Sequence, residues 1–149
     1  MNILGDIKTK LDKIINRRIL VGIPQQEGLR DGEITNAQKL WENTVGSPLK
    51  HVPARPLLEP AVEDRLDEIG ATLQRGVLAG LVIGEEAMDA AYNRAGLMAQ
   101  QAAVAWFDNP KNNWKPNSPY TIQKKGSDAP LIDTGEMRKS ITFIIEDEK

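Results

Sequence analysis

Asp133-Thr134-Gly135 sets a carboxylate, a hydroxyl and a residue free to take positive φ side by side. The triplet matches the catalytic turn of aspartic proteases, but that chemistry needs two carboxylates sharing one proton. A folding role is the better reading. Asp133 and Thr134 carry short acceptors that can bond backbone N–H groups two or three residues on. Gly135 supplies the turn, and Arg138 and Ser140 lead into an apolar β-branched run, Ile141-Thr142-Phe143-Ile144-Ile145. The one histidine, His51, has no acid or nucleophile beside it in Leu49-Lys50-His51-Val52-Pro53, so a surface or strand-edge position is expected. Asp64 and Glu68, at i and i+4 within Glu63-Asp64-Asp67-Glu68, could cradle a cation, although no glycine-containing calcium loop accompanies them. Lys111, Trp114 and Lys115, followed by Tyr120, Lys124 and Lys125, interleave basic and aromatic groups. Such a loop could stack bases and neutralise phosphates, or anchor an aromatic side chain in a protein partner. The acidic balance of the chain favours the protein partner.

That balance is a formal charge of −2 with a pI near 5.5, which argues against a protein that coats a phosphate backbone. Between Ala61 and Pro110, three arginines face eight acidic residues, while both flanks are mildly basic. The distribution suits head-to-tail contact between copies as well as ordinary solvated helix faces. With no cysteines, disulfides, thiolate catalysis and cysteine-held metals are excluded. No phosphate-binding glycine loop, zinc-protease motif or nucleophile elbow occurs, and no cofactor is expected. The N-terminus lacks the basic start and apolar run of a signal peptide, and no apolar stretch is long enough for a membrane helix. A soluble protein made in the cytoplasm is the expectation.

The elements that position these groups follow from periodicity. Ile3, Ile7, Leu11, Ile14 and Ile15 form one apolar stripe at helical spacing. Arg18 to Ile23 reads as a strand stopped by Pro24, and residues 24–34 as a mobile loop. Thr35 or Asn36 caps a short helix to about Thr44, with Ala37, Leu40 and Trp41 inward. Leu49 to Arg55 reads as extended, and Pro56 fits the first turn of the next helix. Leu58, Val62, Leu66, Ile69, Leu73 and Val77 then predict one amphipathic helix of about six turns. A break bracketed by Gly80 and Gly84 separates it from a second long helix, Glu85 to Asp108. The inner stripe of that helix is Met88, Ala91, Ala95, Ala99, Ala102 and Trp106. Residues 109–129 read as loop with a brief strand at Tyr120–Lys124, a last strand spans Ser140–Ile145, and Glu146 to Lys149 frays. The expectation is one α+β domain over residues 1–149: two long packed helices and shorter ones against a small antiparallel sheet.

Several blocks together resemble a known family. They are Val21-Gly22-Ile23-Pro24, Asn36-Ala37, Val52 to Ala61 with Pro53-Ala54-Arg55-Pro56 at its centre, Asn117 to Ile122, and Pro130 to Ile141. In this order they resemble the tail-completion (neck, head–tail joining) proteins of long-tailed bacteriophages, the minor tail protein Z-like group, and are similar to the virion-morphogenesis proteins of Mu-like phages. One departure is Trp41 to Gly46, where the family pattern ends its short helix with a glutamate, an aromatic residue and a glycine. The resemblance implies a virion protein without catalytic residues. It would form a ring, hexameric in the family, that joins the tail to the filled head. Its partners would be further copies, the tail terminator or tail tube, and the head connector. Within that role Arg55 and Pro56 are expected to hold the turn into the first long helix. Asp133, Thr134, Gly135 and Ser140 are expected to set the last turn, with Arg138 facing a partner or pairing locally and Trp114 serving as a docking anchor.

Overall fold

The computed structural model describes residues 2–25, 33–131 and 135–148. It is α+β: a layer of helices carrying a two-stranded antiparallel sheet. The frame is a helical hairpin, α4 (Leu66–Ile83) against α5 (Glu85–Trp106). All six residues of the predicted α5 stripe are buried. The small stripe lets the two backbones close in, since a Cβ placed on Gly76 of α4 would overlap that of Ala91 on α5. Gly84, at φ 125, makes the turn between them. Gly80 does not break the helix as expected; α4 runs through it, because the close approach of Met88 needs a residue without a side chain there.

The predicted six-turn helix is two helices. A short α3 (Leu58–Asp64) ends at Arg65, where φ −115 and ψ 14 and an N–H bond to the Val62 carbonyl replace the helical ladder. Neither proline nor glycine marks the break. It re-phases the stripe, so that both α3 and α4 lie on α5 while Leu66 turns outward. The two carboxylates that could have cradled a cation have separate cationic partners. Asp64 pairs with Lys111 and Glu68 with Arg65. Pro56 lies ahead of the helix rather than in its first turn, since Leu57 occupies the N-cap position.

Strand β1 (Arg17–Gly22) pairs with β2 (Thr142–Asp147), with Arg17 opposite Asp147 and Gly22 opposite Thr142. Glu146 and Asp147, expected to fray, are held in the strand by Arg18 and Arg17. Asp147 keeps its carboxyl below the usual aspartate range because Arg17 donates to it, and the same bond raises the Arg17 guanidinium. The sheet lies on α5, where Gly96 makes room for the ring of Phe143. The N–H of Glu148 bonds the Asn16 carbonyl at 2.6 Å. Alternation along an antiparallel ladder then turns the backbone groups of Arg17, Ile19 and Val21 away from β2, toward the open edge.

Helix α1 (Ile3–Asn16) forms as predicted but buries no residue. Helix α2 (Asn36–Val45) starts at Thr35 in a capping box with Gln38 and ends at Gly46. It buries Leu40, but Trp41 is 67 % exposed rather than inward, because this short helix meets the core along one narrow line. Residues 48–51 form a turn, not an extended run, and Ser47 bridges to Val52. Tyr120–Lys124 is no strand. Ser118 caps, Pro119 opens and Gly126 closes helix α6 (Pro119–Lys125). A further short helix, α7 (Glu136–Lys139), precedes β2 and displaces the expected strand start at Ser140.

Candidate interaction site around Arg55

Arg55 is the most deeply buried charge among the described residues, 6 % exposed. Its backbone N–H bonds the carbonyl of Asn43 at 2.6 Å, which fixes the chain leaving the 48–51 turn. The guanidinium grips the loop before α6: Nε and NH2 both donate to the Lys115 carbonyl, at 3.0 and 2.7 Å, and NH2 also reaches Asn117 Oδ1 at 3.2 Å. Burial lowers the basicity of this guanidinium. A buried charge must be satisfied by acceptors, and a planar fork can hold one carbonyl with two N–H groups. Asn117, itself buried, passes the connection on through its Nδ2 to the Asp128 carbonyl at 3.3 Å.

Trp114 closes the same joint from the other side. Its indole N–H donates to the Pro56 carbonyl at 2.9 Å, and its ring meets Phe107 edge to face, 5.9 Å between centroids. The segment expected to be a mobile arm is therefore pinned to residues 55–56 at Lys115, Asn117 and Trp114. Lys111 and Lys125 are engaged as well, with Asp64 and with the Ala129 carbonyl. Of the basic-aromatic series, Tyr120 stands 73 % exposed.

The third part is α7. Gly135, in the left-handed region at φ 78, begins it. Ser140 Oγ donates to the Glu136 carbonyl at 2.7 Å and accepts from Asn36 Nδ2 at 3.0 Å, tying α7 to α2. Arg138 pairs with Asp108 at 2.7 Å and lies over the ring of Phe107, 5.6 Å from its centre. Asp133 and Thr134 lie outside the described residues.

These parts surround one cleft of about 370 Å³, lined by Asn36, Asn43, Arg55, Asn117, Thr121 and residues 135–137 among others. The structure thus brings Arg55 and Gly135 to a common wall, with Trp114, Arg138 and Ser140 bracing it from outside. Asn117 is the residue to which sequence reasoning gave no role of its own; its signals were its place at the head of the Asn117–Ile122 block and a polar side chain beside Ser118-Pro119. His51 is exposed, on a turn at φ 55, and stands apart from this cleft. Among the described residues no three carboxylate or histidine side chains converge to hold a metal ion, and no helix is long and apolar enough to cross a membrane. Comparisons with protein-family models, with curated proteins and with solved structures returned no match.

Proposed function

We propose that this chain is a non-enzymatic structural protein of a tailed-bacteriophage virion. It would complete the end of the tail and join it to the head as one subunit of a ring, with the tail terminator or tail tube and the head connector as neighbours. One observation carries the reading. The blocks that resemble the neck proteins are scattered over a hundred residues of sequence, yet Asn36, Arg55, Asn117, Thr121 and Gly135 meet around a single cleft. There Arg55 is spent on the Lys115 carbonyl and Asn117, and Asn36 on Ser140. Such an arrangement sets shape and leaves few groups free to move a proton. The alternative, a nucleic-acid module built on Trp114, loses support because that indole donates to the Pro56 carbonyl and meets Phe107 edge to face within its own chain.

Deleting the encoding gene from the phage or prophage that carries it tests the proposal. Electron microscopy of the lysate should then show filled heads and finished tails lying apart, with joining restored by the wild-type chain supplied in trans. Joined, infectious particles in the deletion strain would remove the reading.

A further inference from the structure

Helix α1 is the most regularly amphipathic element with the least to cover it. Ile3, Leu4, Ile7, Leu11 and Ile15 are 61, 81, 43, 42 and 76 % exposed. Its ties to its own chain are mostly polar: Lys10 Nζ to the Leu81 carbonyl at 3.3 Å, Lys13 to Glu85 at 2.6 Å, and Tyr92 Oη to the Ile14 carbonyl at 3.3 Å. Such contacts fix where the helix lies without burying its stripe. A 14-residue helix is marginal on its own in water, so an uncovered stripe of this length points to a partner. Leu78, Val82 and Ile83 are also exposed, at the end of α4 where Lys10 anchors.

A second surface fits it. Between β1 and helices α3 and α4 runs a groove of about 500 Å³, walled by Ile19, Val21, Val62, Ile69 and Leu73 and floored by α5. Glu59 and Glu63 stand on its rim, and neither carboxylate has an ion-pair partner among the described residues. Lys8 borders the α1 stripe, one turn from Leu4 and Leu11, and it too lacks an ion-pair partner there. The helix cannot enter the groove of its own chain. It joins β1 without a single linking residue, and Lys13 and Ile14 hold its last turn at α5.

We infer that α1 of one copy docks its apolar stripe into the β1/α3–α4 groove of a second copy, with Lys8 meeting the Glu59–Glu63 rim. The contact joins two different surfaces, so it propagates head to tail and closes only if the rotation per step allows. It gives the proposed ring its subunit contact, yet it needs nothing of the virion. A phage that does without the protein would sink the virion reading and leave this contact standing, whereas a persistent monomer would sink the contact alone.

The full chain is purified and followed by sedimentation velocity over a concentration series, with circular dichroism checking each variant for an intact fold. Wild type should associate, Leu11→Glu should be monomeric, and the double change Glu59→Lys with Glu63→Lys should weaken association by about tenfold or more. Mixing the two variants should yield a 1:1 pair that grows no further, since one brings the intact groove and the other the intact helix. Because the chain has no cysteine, Leu11→Cys copies mixed with Glu63→Cys copies should cross-link, while Leu11→Cys copies alone should not. A wild-type monomer at the highest soluble concentration overturns the inference. Association untouched by the rim charges, with Leu11→Cys linking to itself, overturns it in favour of helix-to-helix pairing. A monomer that floats with phosphatidylglycerol vesicles through Leu11 overturns it in favour of a lipid-facing helix.

Discussion

Helices α5 and α1 carry equally legible stripes and meet opposite fates. In α5 the stripe is narrow and small, Ala91, Ala95, Ala99 and Ala102 between Met88 and Trp106, and it is wholly buried. In α1 it is made of isoleucine and leucine, the more hydrophobic choice, and it is left open. Burial in α5 follows from shape: paired small residues bring backbones close enough for many weak contacts to add up. Among the described residues, no surface that α1 can reach within its own chain covers its stripe. Periodicity therefore states which face must be covered, while side-chain size and the geometry of the neighbour decide what covers it.

The sharpest way to break this contrast is Gly76→Val. The new side chain would collide with the Cβ and backbone of Ala91, so the hairpin must open, at a cost of about 3 kcal/mol from overpacking. Urea denaturation with an unchanged midpoint would mean that the close approach contributes little. Arg55→Met comes next. It removes three hydrogen bonds and strands the Lys115 carbonyl and the Asn117 side chain, for a loss of about 2 kcal/mol. Trp114 fluorescence should report a loosened 113–118 segment even below the unfolding transition, and a native-like spectrum would argue that the segment holds by itself. The smallest effect is expected at α1. Leu4→Ser and Ile15→Ser should change the stability of the dilute chain by no more than about 0.5 kcal/mol, because neither side chain leaves water on folding. A large loss in dilute solution would show that the stripe is covered within one chain.

The fold was legible where a pattern repeats. Five apolar positions delimit α1, six delimit the buried line of α5, and runs rich in β-branched residues located both strands to within two residues. It was illegible where a single local signal competes with composition. Tyr120-Thr121-Ile122 has strand-like residue types, but Ser118-Pro119 before it and Gly126 after it are helix punctuation and prevail. The break at Arg65 leaves no mark in residue types, since it arises from fitting two helices to one long neighbour. At the candidate site, an arginine inside Pro-Ala-Arg-Pro could be picked out, but not its acceptor sixty residues away. That acceptor is a main-chain carbonyl, which every residue possesses.

Strand β1 finds its partner some 130 residues further along the chain. Long separations of this kind close late, because the entropy of a large loop must be overcome before any ladder bond forms. During synthesis the α4–α5 hairpin, whose contacts are local, can form while Arg17 to Gly22 still waits for its partner. The groove proposed to receive α1 has β1 as one wall, and that wall gains its ladder only when Thr142 to Asp147 pair with it.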